Sequence, residues 1–142
     1  MQSTPPPPAL ALRRATTADW RLIRQWIALP DIQRWWGSPA AAEAEIRMAL
    51  DGEAAISCLV MLGEEPIGYA HAIDAAHWGP SLPDGMPAGT WDIDVFIATP
   101  EHRGKGLGEA AVNLLAAEVF ATTLALALSV FVPVTNERAV RA

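Results

Sequence analysis

Residues 103–108 read Arg103-Gly104-Lys105-Gly106-Leu107-Gly108, three glycines and two cations in one short stretch. Glycine lets the backbone come close to a ligand and adopt conformations closed to other residues. An apolar strand-like run precedes the stretch and a helical pattern follows it. Its N–H groups therefore open a helix, where the macrodipole favours an anion. Arg103 and Lys105 add positive charge, and the whole describes a cradle for a pyrophosphate. It is not a dinucleotide fingerprint, because Glu109 stands where the third glycine of G-x-G-x-x-G would fall. The G-x-x-x-x-G-K-[ST] phosphate loop is absent.

The strand-like run just before it, Thr90 to Ala98, carries the carboxylates. Period-two alternation puts Ile93, Val95 and Ile97 on one face and Asp92, Asp94 and Phe96 on the other. His71 reads as a packed or hydrogen-bonded histidine, His102 as solvent-facing beside the cradle, and His77 as a loop residue. None has the spacing of a metal site, and no Cys-His cluster exists, so no metal is expected. Cys58, the single cysteine, lies in the apolar run Ala55 to Leu62 and reads as a buried, inert thiol. Trp20 and Trp26 fit a helix packed on a sheet, whereas Trp35 and Trp36 end in Gly37 and lack helical periodicity. An aromatic wall for a substrate and core packing both suit that pair.

The elements that must position these residues follow from periodicity. Ala9 to Arg14 reads as a strand with Leu10 and Leu12 on one side. Thr17 caps a helix with Asp19 in its first turn and Trp20, Ile23 and Ile27 on one face; Pro30 ends it. Ser38 and Pro39 open a second helix that runs to about Asp51-Gly52. Ala55 to Leu62 and Ile67 to Ile73 form a hairpin around the turn Gly63-Glu64-Glu65-Pro66. A loop spans Ala75 to Gly89, the strand Thr90 to Ala98 follows, and Thr99 to Lys105 is again a loop. Gly106 to about Ala121 is a helix. Leu124 to Val132 is an apolar strand expected to be buried on both faces, and Pro133 breaks it. The order predicts an α+β, layered α/β architecture with a mixed sheet, and a right-handed crossover between its last two strands.

The stretch Asp94 to Gly108 resembles the acetyl-coenzyme A motif of the GCN5-related N-acetyltransferases, [QR]-x-x-G-x-[GA] directly after a strand. The element order is similar over nearly the whole chain. The segment Pro133-Val134-Thr135-Asn136-Glu137-Arg138-Ala139 resembles the family's next one, where an asparagine contacts the cofactor. The resemblance implies a mostly antiparallel mixed sheet flanked by helices, with acetyl-coenzyme A as co-substrate. Arg103, Gly104, Lys105, Gly106, Leu107, Gly108 and Asn136 would bind it. Phe96, Ile97 and Ala98 would form the thioester platform, where backbone N–H groups stabilise developing oxygen charge. Asp94 would position the amine and accept its proton, with Asp92 beside it as a second carboxylate. Trp35-Trp36-Gly37, Gly63 to Ala70 and Ile93-Asp94 are similar to aminoglycoside 6'-N-acetyltransferases and to siderophore-type N-acyltransferases, and imply Trp35 and Trp36 as substrate-binding residues.

The implied reaction is acetyl transfer to a primary amine of a small cationic substrate, aminoglycoside-like or lysine-derived. Two rival readings are an inactive coenzyme A-binding or dimerising module and a protein-amine acetyltransferase. The family continues past the asparagine with a tyrosine-bearing helix and two strands. The sequence stops at Ala142, which implies an incomplete domain, a weakened or absent transfer, and a homodimer through the C-terminal sheet edge.

Bulk composition agrees. With 142 residues, 51% hydrophobic and only 18% charged, the chain can bury one core, so one domain over 9–142 is expected after a disordered Pro-rich tail at 1–8. A net charge of -6 disfavours nonspecific nucleic-acid binding and suits a cationic partner. The charge-free stretch Val119 to Val134 is shorter than the roughly 20 residues of a membrane helix. Met1 to Pro8 lacks the features of a signal peptide, so a cytoplasmic protein is expected.

Overall fold

The computed structural model describes residues 9–52, 54–78 and 87–130, apart from the side chains of Trp35, His77 and Trp78. The chain runs β1 (Leu10–Arg14), α1 (Trp20–Ile27), α2 (Pro30–Trp36), α3 (Pro39–Asp51), β2 (Ala55–Leu62), β3 (Glu65–Asp74), β4 (Thr90–Ile97), α4 (Leu107–Thr122) and β5 (Ala127–Val130). The strands form one sheet in the order β1-β2-β3-β4-β5. Its first three pairings are antiparallel and β4–β5 is parallel, joined through α4. This is the mixed, mostly antiparallel sheet with flanking helices that the sequence predicts.

Helices cover both faces, which explains why β2 is apolar without alternation. Ile56, Cys58, Val60, Ala70, Ala72, Trp91 and Ile93 pack against Ala111, Leu115 and Val119 of α4. On the opposite face Leu59, Tyr69, Phe96 and Ala98 pack against Ile23, Trp26 and Ile27 of α1, Ile32 of α2 and Ile46 of α3. A bulge where Val60 pairs with Gly68 and Met61 with Pro66 leaves Ile67 unmatched. That shift brings Ile67 into the α4 cluster out of alternation. Cys58 is buried, and burial pushes its thiol up to about 11, so it is inert as expected.

Four sequence expectations change. The cap at the first helix is Thr16, not Thr17. Thr16 accepts from Ala18 N–H while Asp19 accepts from Thr16 N–H, a reciprocal box that opens a 3-10 turn at Thr17–Asp19. Pro30 starts α2 instead of merely ending α1. Its fixed φ and missing N–H suit a first helical position, so three helices separate β1 from β2, and Trp35 and Trp36 lie within the last of the short ones. The hairpin turn shrinks to Gly63-Glu64, since Glu65 and Pro66 already pair with Leu62 and Met61. Finally, β5 is short and not buried on both faces. Leu124 and Leu126 are 95% and 79% exposed and Val130 is 45% exposed. Residues 131–132 lie outside the described residues, as do the tail at 1–8 and the segment from Pro133 on.

No helix among the described residues is long and apolar enough to cross a membrane. Ser38 caps α3 as expected, accepting from Ala41 N–H at 3.2 Å.

Gly68 sets how closely β3 and β4 approach. A Cβ there would stand 2.2 Å from the Phe96 carbonyl oxygen and 3.1 Å from Ile97 Cα, both backbone atoms. Gly68→Ala is therefore expected to destabilise the protein by roughly 2–3 kcal/mol through forced strand separation. Thermal unfolding followed by circular dichroism measures this, and an unchanged midpoint would show that the strands part freely.

Candidate functional site

The glycine stretch forms a loop that turns β4 into α4. A single 3-10 turn, Pro100–His102, closes with Arg103 N–H donating to Pro100 O. Gly104 and Gly106 follow in the left-handed region at φ 74° and 75°, which makes glycine necessary at both. Gly106 is the N-cap of α4 and has no side chain with which to satisfy the first-turn N–H groups. Those donors remain available for an anion. A Cβ at Gly106 would meet nothing within 4 Å, so the space before the helix is open. Lys105 is exposed there, while Leu107 packs inward on the α4 side of the sheet.

Arg103 directs its guanidinium donors at the protein itself. Its Nε donates to Ile97 O at 2.9 Å, one terminal nitrogen to Ala98 O at 3.1 Å, and the other to Asp31 Oδ2 at 2.8 Å. The carbonyls at the end of β4 and a carboxylate on α2 occupy all three directions of the fork. Arg103 thus braces the strand end against α2, and Lys105 is the exposed cation of the loop. His102 is not solvent-facing either. Its side chain is only 13% exposed and Nδ1 is hydrogen-bonded to the Thr99 hydroxyl.

The end of β4 divides by backbone direction. Ala98 N–H donates to Ile67 O of β3 at 2.7 Å. Alternate residues point the same way, so Ala98 and Phe96 face β3, while Ile97 and Val95 direct their N–H groups to the other side. Among the described residues β5 pairs with β4 only from Thr90 to Ile93, which leaves the Val95 and Ile97 side of the strand without a described partner. Phe96 itself is buried, edge-on to Trp26 at 6.0 Å and Trp36 at 5.2 Å between ring centroids. Of the three platform residues the sequence singles out, Ile97 is the one whose N–H points outward. Val95, which the sequence reading placed only on the opposite face, joins it.

Asp92 and Asp94 share a face but not an environment. Asp92 is 8% exposed and accepts from the Ser129 hydroxyl of β5. Asp94 is more open and stands beside His71, with Oδ2 3.5 Å from Nε2. The same Nε2 is 3.2 Å from Glu45 Oε1 of α3. On its other side, His71 Nδ1 is 2.9 Å from the Tyr69 hydroxyl, which is 2.7 Å from Ser57 Oγ. Trp36 leans over this group, its ring centroid 5.3 Å from that of His71. Glu45, Tyr69 and Ser57 escaped the sequence reading. Glu45 comes from a helix distant in sequence, and the other two lie in runs that read as core.

His71 has no solvent exposure. Burial alone pushes its pKa down, but Asp94 and Glu45 push it up more strongly, and it ends above the ordinary 6.5. The described carboxylates and His71 lie within the span a metal ion would need, as do Glu65, Glu101 and His102. The first cluster equally suits an ammonium group. Asn136 and the side chain of Trp35 lie outside what is described.

An acetyltransferase (GNAT) domain model matches residues 15–142. The chain belongs to this acetyltransferase family. This GNAT domain is 29% identical over 120 residues to aminoglycoside N(6')-acetyltransferase type 1 of Klebsiella pneumoniae, an alignment covering 79% of this chain and 60% of that protein. The chain thus spans about three fifths of the length of the curated relatives it matches. Among solved structures, aminoglycoside acetyltransferase AAC(6')-Ib in complex with coenzyme A superposes with a TM-score of 0.79 at 28% identity, covering 94% of this chain and 80% of that one. The same enzyme with coenzyme A and kanamycin gives a TM-score of 0.78 at 28% identity, covering 94% and 80%.

The raised pKa of His71 makes a stability prediction. A group whose pKa is higher folded than unfolded stabilises the fold fully below its unfolded value, here near 6.5, and loses that contribution as pH rises through the folded value. Urea unfolding followed upward from about pH 6.5 should therefore show stability falling as pH rises. His71→Gln should flatten that slope; an identical slope in the variant would mean another group causes it.

Proposed function

We propose that this GNAT domain transfers the acetyl group of acetyl-coenzyme A to a primary amine of a small cationic substrate. The observation that carries the reading is the Glu45–His71–Asp94 cluster, which adjoins the strand leading straight into the glycine cradle. Strand geometry puts Asp94 about 10 Å from Ile97, at the mouth of that cradle. Relatives whose names include coenzyme A complexes and kanamycin support both halves of the reading.

The cradle fits a pyrophosphate. Gly104 and Gly106 supply left-handed backbone, the α4 first turn supplies uncapped N–H groups, Lys105 supplies charge, and no side chain fills the space. Asn136 would add a contact from beyond the described residues. Acetyl-coenzyme A would bring the acetyl thioester. The chain's own groups do the rest. The outward N–H groups of Ile97 and Val95 can stabilise charge on the acyl oxygen. Asp94 and Glu45 can hold an ammonium group, and the carboxylate–imidazole set can take its proton, since a lysine-like amine with a pKa near 10.4 must become neutral to attack. Trp36 walls the amine end, and Trp35 is proposed beside it. Asp92, tied to Ser129, is better suited to holding β4 against β5 than to meeting substrate. One acetyltransferase domain over 9–142 is the organisation this reading takes.

Two variants test it. Gly106→Val adds a branched side chain in the open space and strains a left-handed residue, so coenzyme A binding by calorimetry should be lost while the fold persists. Normal affinity in a folded variant would place the cofactor elsewhere. Asp94→Asn should leave coenzyme A affinity near normal and lower acetylation of an amine such as kanamycin by ~100-fold or more. An unchanged rate and pH profile would remove Asp94 from the reaction.

A further inference from the structure

His71 lies behind its cluster, not at the mouth of it. The ring has no solvent exposure, whereas the side chains of Glu45 and Asp94 are 27% and 29% exposed. An amine arriving from solvent therefore meets the two carboxylates, with the imidazole beneath them. The groups facing the ring are few. α3 contributes Glu45, with Oε1 3.2 Å from Nε2, and β4 contributes Asp94, with Oδ2 3.5 Å from the same nitrogen. β3 contributes the Tyr69 hydroxyl, 2.9 Å from Nδ1, and β2 contributes Ser57, whose Oγ is 2.7 Å from that hydroxyl. α2 contributes the Trp36 ring.

Donors and acceptors match one neutral form of the ring. Ionised carboxylates only accept, so a hydrogen on Nε2 has two acceptors in reach, while a lone pair there would face acceptors alone. Nδ1 faces a hydroxyl, which can donate. Tyr69 O–H then fills the Nδ1 lone pair, and Ser57 O–H fills the Tyr69 oxygen. Among the described residues no buried side-chain nitrogen or oxygen lacks a hydrogen-bond partner, and this pattern gives each one here a partner of opposite sense. When the ring gains a second proton, Nδ1 takes it. Both hydroxyls turn, Nδ1–H donates to Tyr69 and Tyr69 O–H to Ser57, and the bonds at Nε2 are untouched.

We propose that His71 is a positioning residue whose Nε2–H holds Glu45 and Asp94 together as a clamp for one ammonium group, and that a carboxylate, not the imidazole, takes the amine's proton. The proposal rests on the reading of this cluster as the amine end of an acetyltransferase site. Glu45 comes from a helix and Asp94 from a strand, and two carboxylates this close repel each other unless a hydrogen lies between them. Nε2–H is that hydrogen, and the Tyr69 bond at Nδ1 fixes the ring that carries it. The carboxylate oxygens lie within 4.8 Å of each other. An ammonium group donating to two oxygens at about 2.9 Å each sets them about 4.7 Å apart, so one amine bridges the pair. One of its N–H bonds then breaks, the electron pair stays on nitrogen as the lone pair that attacks the acyl carbon, and the proton bonds to an Asp94 oxygen. Nε2–H stays in place throughout.

The first test is the nitrogen-15 spectrum of the His71 ring across pH, in the full chain without substrate. Above its midpoint the ring should be neutral with the hydrogen on Nε2, and Nδ1 should be the nitrogen that titrates. A neutral ring with its hydrogen on Nδ1 overturns the proposal. The second test is kinetic, with kanamycin as the amine, on variants that bind coenzyme A normally. His71→Gln keeps an N–H donor near the Nε2 position and cannot titrate, so it should lower kcat only a few-fold. His71→Leu removes the donor, and KM for kanamycin should rise about 10-fold or more, the usual loss for a hydrogen bond to a charged group. An imidazole that accepted the proton would make both variants lose kcat alike, by ~100-fold or more, and that result also overturns the proposal. If His71→Leu does not bind coenzyme A, the spectrum and His71→Gln decide. A wild type that shows the expected spectrum but acetylates no kanamycin would overturn the substrate reading, not the assignment of the ring.

Discussion

The candidate site depends on the register of β2, β3 and β4. Ser57 pairs with His71, and His71 pairs with Asp94, directly across three adjacent strands. A slip of one residue in either pairing would send one member to the α4 face. Gly68 helps hold the register, because only a residue without Cβ lets β3 approach the Phe96 carbonyl so closely. The bulge beside it ends strict alternation at Ile67, beyond the last site residue, so Tyr69 and His71 keep their common face.

Arg103 is the second organising contact. Its guanidinium joins the last carbonyls of β4 to Asp31 of α2. One residue thus ties together the strand that carries Asp94, the loop that carries the glycines and the helix that carries Trp36. The ion pair with Asp31 is half exposed and contributes little by itself. Its value is geometric, since it fixes the spacing between the strand end and the cradle.

The Glu45–His71–Asp94 cluster is electrostatically unusual in setting a fully buried imidazole against two carboxylates. His71 lies in the interior, yet both partners at Nε2 keep partial access to solvent, with side-chain exposures of 27% for Glu45 and 29% for Asp94. The imidazole is held in place without sealing the carboxylates from solvent. Removing one partner of such a set leaves charge uncompensated. Two partly open carboxylates on one buried imidazole make this face attractive to cations. The net charge of -6 on the whole chain acts in the same direction at longer range.

Local pattern alone determined most of the fold. Strand β2, helix α3 with its Ser38 cap, the division of β4 into two faces and the glycine-led start of α4 are all legible because each rests on neighbouring residues or on a fixed period. The cradle was legible for the same reason, since positive φ and an uncapped helix start are properties of a continuous segment. Short helix α2 was missed because proline can either end a helix or begin one, and only packing of Ile32 into the core chose. Tertiary structure alone decided where side chains went. Arg103 reads as cradle charge until the carbonyls of Ile97 and Ala98 and the carboxylate of Asp31 are seen within its reach. Asp92 and Asp94 are indistinguishable by alternation, and Ser129, 37 residues on, separates them. Glu45 and His71 are 26 residues apart in the chain and 3.2 Å apart in space. No period in the sequence records such a meeting, because it depends on how a helix lies across a sheet.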